Sequence, residues 1–160
     1  MTTKAYLSLG SNVEPERHLR AALDALRVRF GAVVVSPVYR VPAVGFDGPA
    51  FLNAAAVIDS DLAPLALVEW LHELEHANGR VRGGAKFSDR TLDVDLVYFG
   101  DAVMDAPGLR LPRPELRHAY VLRPLAEIAP AFVDPLQHRT LAELWRAHPE
   151  SGDALEVVAL

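Results

Sequence analysis

The chain has 160 residues, 51% of them apolar, with no cysteine and a formal net charge of −5. That length suits one domain over residues 1–160, able to bury roughly two-thirds of its unfolded surface without cross-links. Disulfides, thiolate metal sites and a thiol nucleophile are excluded, and the acidic balance argues against a nucleic-acid partner.

The segment from Met1 to Gly10 carries one lysine and no long apolar stretch, so it reads as a strand and not as a secretion signal. No run approaches the ~20 apolar residues that span a bilayer. A cytoplasmic protein without a membrane partner is expected. The first strand covers Ala5 to Leu9 and ends at Gly10-Ser11-Asn12, read as a turn and helix cap. A helix follows, with Pro15 in its first turn, Leu19, Ala22, Leu23, Leu26 and Phe30 on one face, and Gly31 closing it. Val33 to Val41 is β-branched and predicts a strand, with Pro37 at an edge or bulge. After a loop from Pro42 to Pro49, the segment Phe51 to Asp59 alternates Leu52, Ala54, Ala56 and Ile58 on one face, as a strand does.

Pro64 opens a second helix through Leu67, Leu71 and Leu74, stopping at Asn78-Gly79. Gly79 to Asp89 reads as a glycine-rich basic loop, and Leu92 to Phe99 as the next strand. Beyond lie a turn at Gly100-Asp101, a Pro-rich stretch from Pro107 to Pro114, a short segment from Tyr120 to Ile128, a last helix from Thr140 to Ala147 and a last strand from Leu155 to Leu160. The order strand, helix, strand, strand, helix, strand predicts an α+β fold of ferredoxin-like βαββαβ type. Its antiparallel sheet would carry packed helices and extra C-terminal elements.

Two features carry chemistry. Asp93 and Asp95 alternate in a strand, so both carboxylates project from one face. Magnesium prefers such oxygen ligands, shared with substrate phosphates. Alone, Asp-x-Asp more often marks a solvated sheet face. Here the strand is otherwise apolar, and buried carboxylates need partners. Just before them, Arg80, Arg82, Lys86 and Arg90 fall within eleven positions. Arginine forks grip phosphate oxygens, so a cationic arm beside a carboxylate pair predicts phosphoryl-type transfer. No P-loop is present.

The run Arg90-Thr91-Leu92-Asp93-Val94-Asp95 closely resembles the signature of the 6-hydroxymethyl-7,8-dihydropterin pyrophosphokinase family. Leu7 to Asn12, Ser36 to Pro42 in slightly altered form, Phe51 to Ala55, Glu75 to Arg82 and Pro124 to Pro130 resemble further family segments in the right order. The resemblance implies transfer of pyrophosphate from ATP to the hydroxymethyl group of a reduced pterin, releasing AMP, by a monomer in folate synthesis. It implies two magnesium ions on Asp93 and Asp95, with ATP as cosubstrate. Arg80 and Arg90 would join the two aspartates in catalysis. Glu75, Arg80, Arg82, Lys86 and Arg90 would contact ATP, joined by Arg110 or Arg113. The pterin would stack between Phe51 and Tyr120, with Asn53 reading its edge and Val41, Pro42, Val44 and Phe87 nearby. Ser88-Asp89 stands where the family carries Gly-Pro, and Pro112-Arg113 where it carries Pro-His. These departures keep open the alternative of a non-catalytic or altered-specificity paralogue that binds a pterin or nucleotide.

Overall fold

The computed structural model describes residues 1–43, 45–79 and 91–160. Strand β1 (Thr3–Ser11) leads through Pro15 at the helix start into α1 (Pro15–Phe30). Gly31 ends that helix at φ +88°, a backbone angle that favours glycine, while its N–H still reaches the Arg27 carbonyl. Then come β2 (Val34–Val35), β3 (Val38–Val41), β4 (Phe51–Ser60), α2 (Pro64–Ala77) and β5 (Asp93–Phe99). The C-terminal part supplies a small hairpin, β6 (Met104–Ala106) and β7 (Leu109–Leu111), and a single 3-10 turn at Pro114–Arg117. Helix α3 (Ala119–Ile128), helix α4 (Leu141–Arg146) and strand β8 (Glu156–Val158) complete it.

The sheet runs β5-β1-β4-β3-β8, with β2 also on β4, and all pairings are antiparallel. With β2 and β3 taken as one interrupted strand, its first four positions have the ferredoxin-like order. Both faces are covered. Leu7, Leu9, Leu52, Ala54, Val94 and Leu96 pack with Leu19, Leu23, Leu67 and Leu71 of α1 and α2. The alternate residues Tyr6, Ala55, Val57 and Val97 pack with Val121, Leu122 and Leu125 of α3. This is period-two alternation with an apolar load on each side. Among the described residues no helix is long and apolar enough to cross a membrane.

Three expectations need correction. The strand predicted over Val33 to Val41 is interrupted at Ser36-Pro37. Pro37 has no N–H for the ladder, and the Ser36 hydroxyl instead accepts the Ala55 N–H at 2.8 Å while the Ser36 N–H donates to the Ala55 carbonyl. Gly10-Ser11-Asn12 is not a turn and cap. Gly10 and Ser11 continue β1, opposite Asn53 and Leu52, and the α1 N-cap is Glu14, without a side-chain capping bond. The Pro-rich stretch holds β7, which pairs with β6 just before it in a hairpin too short and too locally paired to show a period. The segment from Tyr120 to Ile128 resolves as α3, with Pro124 inside it.

Tyr98, fully buried on β5, donates its hydroxyl to Asp134 at 2.5 Å. Asp134 also accepts the backbone N–H groups of Leu136 and Gln137. This ties the segment before α4 to the C-terminal end of β5. Removing this buried acceptor orphans the buried Tyr98 hydroxyl and unties the turn at Leu136 and Gln137. Asp134→Ala is expected to lower unfolding free energy by about 3 kcal/mol, measured by urea melts, with Asp134→Asn losing less.

Candidate active site

The site grows from one row of the sheet. Tyr39 of β3, Asn53 of β4, Gly10 of β1 and Asp93 of β5 lie side by side in register. All four belong to the α3 face, since their neighbours Val38, Ala54, Leu9 and Val94 point the other way. Asn53 and Asp93 are two strands apart, roughly 10 Å at the usual inter-strand spacing. Between them Gly10 has no side chain. A Cβ there would stand 2.7 Å from Asn53 Nδ2 and 3.8 Å from the Phe51 ring. The glycine therefore leaves a floor bounded by Phe51 and Asn53 on one side and the aspartates on the other. Asn53 is buried and its amide donates to the Leu9 carbonyl at 3.4 Å.

At the acidic end, Asp93 and Asp95 project from the same face of β5, as the alternation predicts. Glu75, fully buried at the end of α2, joins them: one carboxylate oxygen from each of the three lies within 4.8 Å of the others. Glu75 also accepts the Val94 N–H at 2.8 Å, which fixes it against the outer strand. Burial first, then the neighbouring Asp93, pushes the Asp95 carboxyl up to about 8, despite the opposing pull of Arg113. Hard oxygen donors this crowded suit a hard dication.

Arg113 lies beside this cluster. Its Nη2 is 3.4 Å from Asp95 Oδ1 and its Nε 2.7 Å from Glu115 Oε2. Tyr120, at the first turn of α3, has its hydroxyl pKa raised by burial, then by Asp93, Asp95 and Glu115. His118 stacks on the Tyr120 ring, centroids 5.1 Å apart and planes 8° apart.

Around this row, Ser11 and Asn12 hold the loops. The Ser11 hydroxyl donates to the Thr91 carbonyl at 2.6 Å, two residues before Asp93. The Asn12 amide donates to the Pro49 carbonyl at 3.1 Å, just ahead of β4. Val41 pairs with Phe51 in register, and Phe51 meets Phe46 edge-on. Pro42 lines an open depression of about 470 Å³ together with Arg40, Ala43, Phe46 and Asp47. Glu75, Asp93 and Asp95 do not line that hollow.

The structure thus brings together Glu75, Asp93, Asp95, Arg113 and Tyr120, and separately Phe51, Asn53 and Val41. Arg110 is exposed on β7 opposite Asp105, with no ion pair to the acids among the described residues. Val44, Arg80, Arg82, Lys86, Phe87 and Arg90 lie outside the described residues. Sequence reasoning gave Glu75 to the nucleotide and missed its place in the carboxylate cluster. It missed Glu115, Gly10 and the two loop-holding side chains altogether. Only the position of Gly10 in a Leu-Gly-Ser-Asn run offered a hint.

A family model described as 7,8-dihydro-6-hydroxymethylpterin-pyrophosphokinase (HPPK) matches residues 6–130. A Pseudomonas aeruginosa protein named 2-amino-4-hydroxy-6-hydroxymethyldihydropteridine pyrophosphokinase is 40% identical over 157 residues, covering 95% of this chain and 96% of that protein. A protein of the same name from Methylorubrum extorquens is 41% identical over 136 residues, covering 82% and 85%. A solved wild-type HPPK-DHPS structure from Plasmodium falciparum superposes with a TM-score of 0.71 at 12% identity, which speaks to fold alone. The match covers 91% of this chain and 44% of that one, so the chain spans less than half of the solved protein. A signature strand with its carboxylates on one face, a ferredoxin-like sheet beneath it and relatives matched along nearly their whole length agree: the chain belongs to the HPPK family.

Proposed function

We propose that this chain transfers the terminal pyrophosphoryl group of ATP to the hydroxymethyl group of 6-hydroxymethyl-7,8-dihydropterin, releasing AMP, in folate synthesis. The observation that carries this reading is the convergence of Glu75, Asp93 and Asp95 in a member of this family. The hydroxymethyl oxygen forms a bond to the β-phosphorus, the bond from that phosphorus to the oxygen of the departing AMP breaks, and the hydroxyl proton is lost to solvent.

Asp93 and Asp95 would hold two magnesium ions, and the burial, then the neighbouring Asp93, that raise the Asp95 pKa fit a carboxylate pair that a dication would neutralise. The chemistry bound magnesium supplies is neutralisation of the phosphate oxygens. Glu75 fixes the outer strand through the Val94 amide, which holds the spacing of the two aspartates. Arg113 offers a permanent cation to phosphate, in the role the family gives to histidine. Arg80, Arg82, Lys86 and Arg90 belong to the same phosphate clamp by their sequence match. On the other side of Gly10, Phe51 and Tyr120 would hold the flat ring, and Asn53 would read its polar edge. The near-complete match to the P. aeruginosa relative supports a single domain, read here as a cytoplasmic monomer. Nothing among the described residues favours the non-catalytic alternative, since the carboxylates remain assembled.

The test is AMP production from ATP, magnesium and the dihydropterin. Pterin-dependent AMP is expected; its absence from folded, magnesium-supplied protein would overturn the reading. A sharper probe of the ring side is Gly10→Ala. The new methyl would displace the Asn53 amide, so the KM for the pterin should rise about tenfold, on the scale of one lost hydrogen bond. The KM for ATP should change little.

A further inference from the structure

Among the described residues, Arg113 is the cation in direct contact with the carboxylate cluster. Its backbone is anchored, because the Arg113 N–H donates to the Val97 carbonyl of β5 at 3.0 Å. Its guanidinium is shared between Asp95, at 3.4 Å, and Glu115, at 2.7 Å. The Nε is buried and makes no aligned hydrogen bond, although Glu115 is close. That is contact without commitment: the fork is docked squarely on neither acid. Arginine does not lose its proton in proteins, so it can quit Asp95 only by moving. With its backbone fixed, the motion left to it is a swing of the side chain, and Glu115 marks one end of that swing.

We infer that Arg113 is an internal counter-cation for Asp95, and that Glu115 is a positioning residue that draws it aside. Resting on the function proposed above, this makes metal and nucleotide bind cooperatively through one side chain. Without nucleotide, the guanidinium competes with a divalent cation for Asp95. When a triphosphate arrives, its oxygens offer the fork a better bidentate partner than a half-shared carboxylate. The guanidinium then leaves Asp95, and the carboxylate is available to metal. Each ligand thereby strengthens the other by the same factor.

The test is manganese binding to chelator-stripped protein, followed by electron paramagnetic resonance, with and without a non-hydrolysable ATP analogue. Wild-type protein, Arg113→Met, Arg113→Lys and Glu115→Gln are compared. Arg113→Met should tighten manganese binding without nucleotide about fivefold, and should cut the enhancement by the analogue at least fivefold, within the usual span of coupling factors. Glu115→Gln should move the nucleotide-free affinity the opposite way, about threefold weaker, as expected for a modest charge effect. Arg113→Lys, which keeps the charge, should stay nearer wild type than Arg113→Met. Manganese binding whose enhancement by the analogue is the same in wild type and Arg113→Met would overturn the inference and leave the proposed function standing. Absence of manganese binding in every form, with or without the analogue, would overturn both.

Discussion

In Asp95→Asn, pterin-dependent AMP formation should fall about a thousandfold, equivalent to ~4 kcal/mol of transition-state stabilisation. The substitution keeps the size of the side chain and removes its charge. Asp95 is one of three carboxylates whose oxygens converge within 4.8 Å, and it sits beside Arg113. Loss of that charge weakens the hold on magnesium and frees the guanidinium from its partner. The fold should survive, because the amide matches in size a carboxyl that the metal-free protein already holds in its protonated form below about pH 8. Initial-rate assays with a thermal melt of the same sample check both halves. Activity within tenfold of wild type would remove Asp95 from the reaction centre.

The metal-free protein should lose stability as pH rises, against the usual trend for carboxylates. Asp95 keeps its proton in the folded state up to about 8, against an ordinary value of 3.8. Between those values the folded state binds the extra proton, so unfolding free energy falls with increasing pH. The contribution is fully present below about pH 4 and is lost as pH passes through about 8. Solvent reaches 27% of the Asp95 side chain, and screening reduces the effect to on the order of 2 kcal/mol. Urea melts in chelator at about pH 5 and pH 8 would show it. Asp95→Asn should flatten the slope, and magnesium should restore stability at the upper pH. A chelated wild type as stable at pH 8 as at pH 5 would show that the carboxylates are less crowded than their geometry indicates.

The elements legible in the sequence were those with a long period. Leu19 to Leu26 in α1, Leu67 to Leu74 in α2 and Leu52 to Ile58 in β4 each repeat an apolar position often enough to declare helix or strand. The Asp93 and Asp95 pair was legible because strand alternation alone puts both on one face. What the sequence concealed depends on pairing between distant residues. Glu75 meets Val94 across a 19-residue separation, and Tyr98 meets Asp134 across 36. Neither pair leaves a local pattern. Ser11 and Asn12 misled for a related reason. Their side chains suit a helix cap, but the strand ladder took the Ser11 backbone and two loop carbonyls took the side chains of both. Arg113 was legible only as a departure from the family. Its pairing with Asp95 and Glu115 needed the fold.

The row Tyr39, Asn53, Gly10, Asp93 acts as a caliper. A loop-built pocket can widen to admit a larger guest, but a hydrogen-bonded ladder cannot stretch across its strands. Its gauge is counted in strands. The distance from the amide that would grip the ring edge to the carboxylates that would serve the reacting hydroxyl is therefore quantised. A guest longer by a single bond cannot be met by gradual adjustment. Changing the accepted length would require moving one end of the grip to another rung, so evolution of a different specificity here should proceed by jumps.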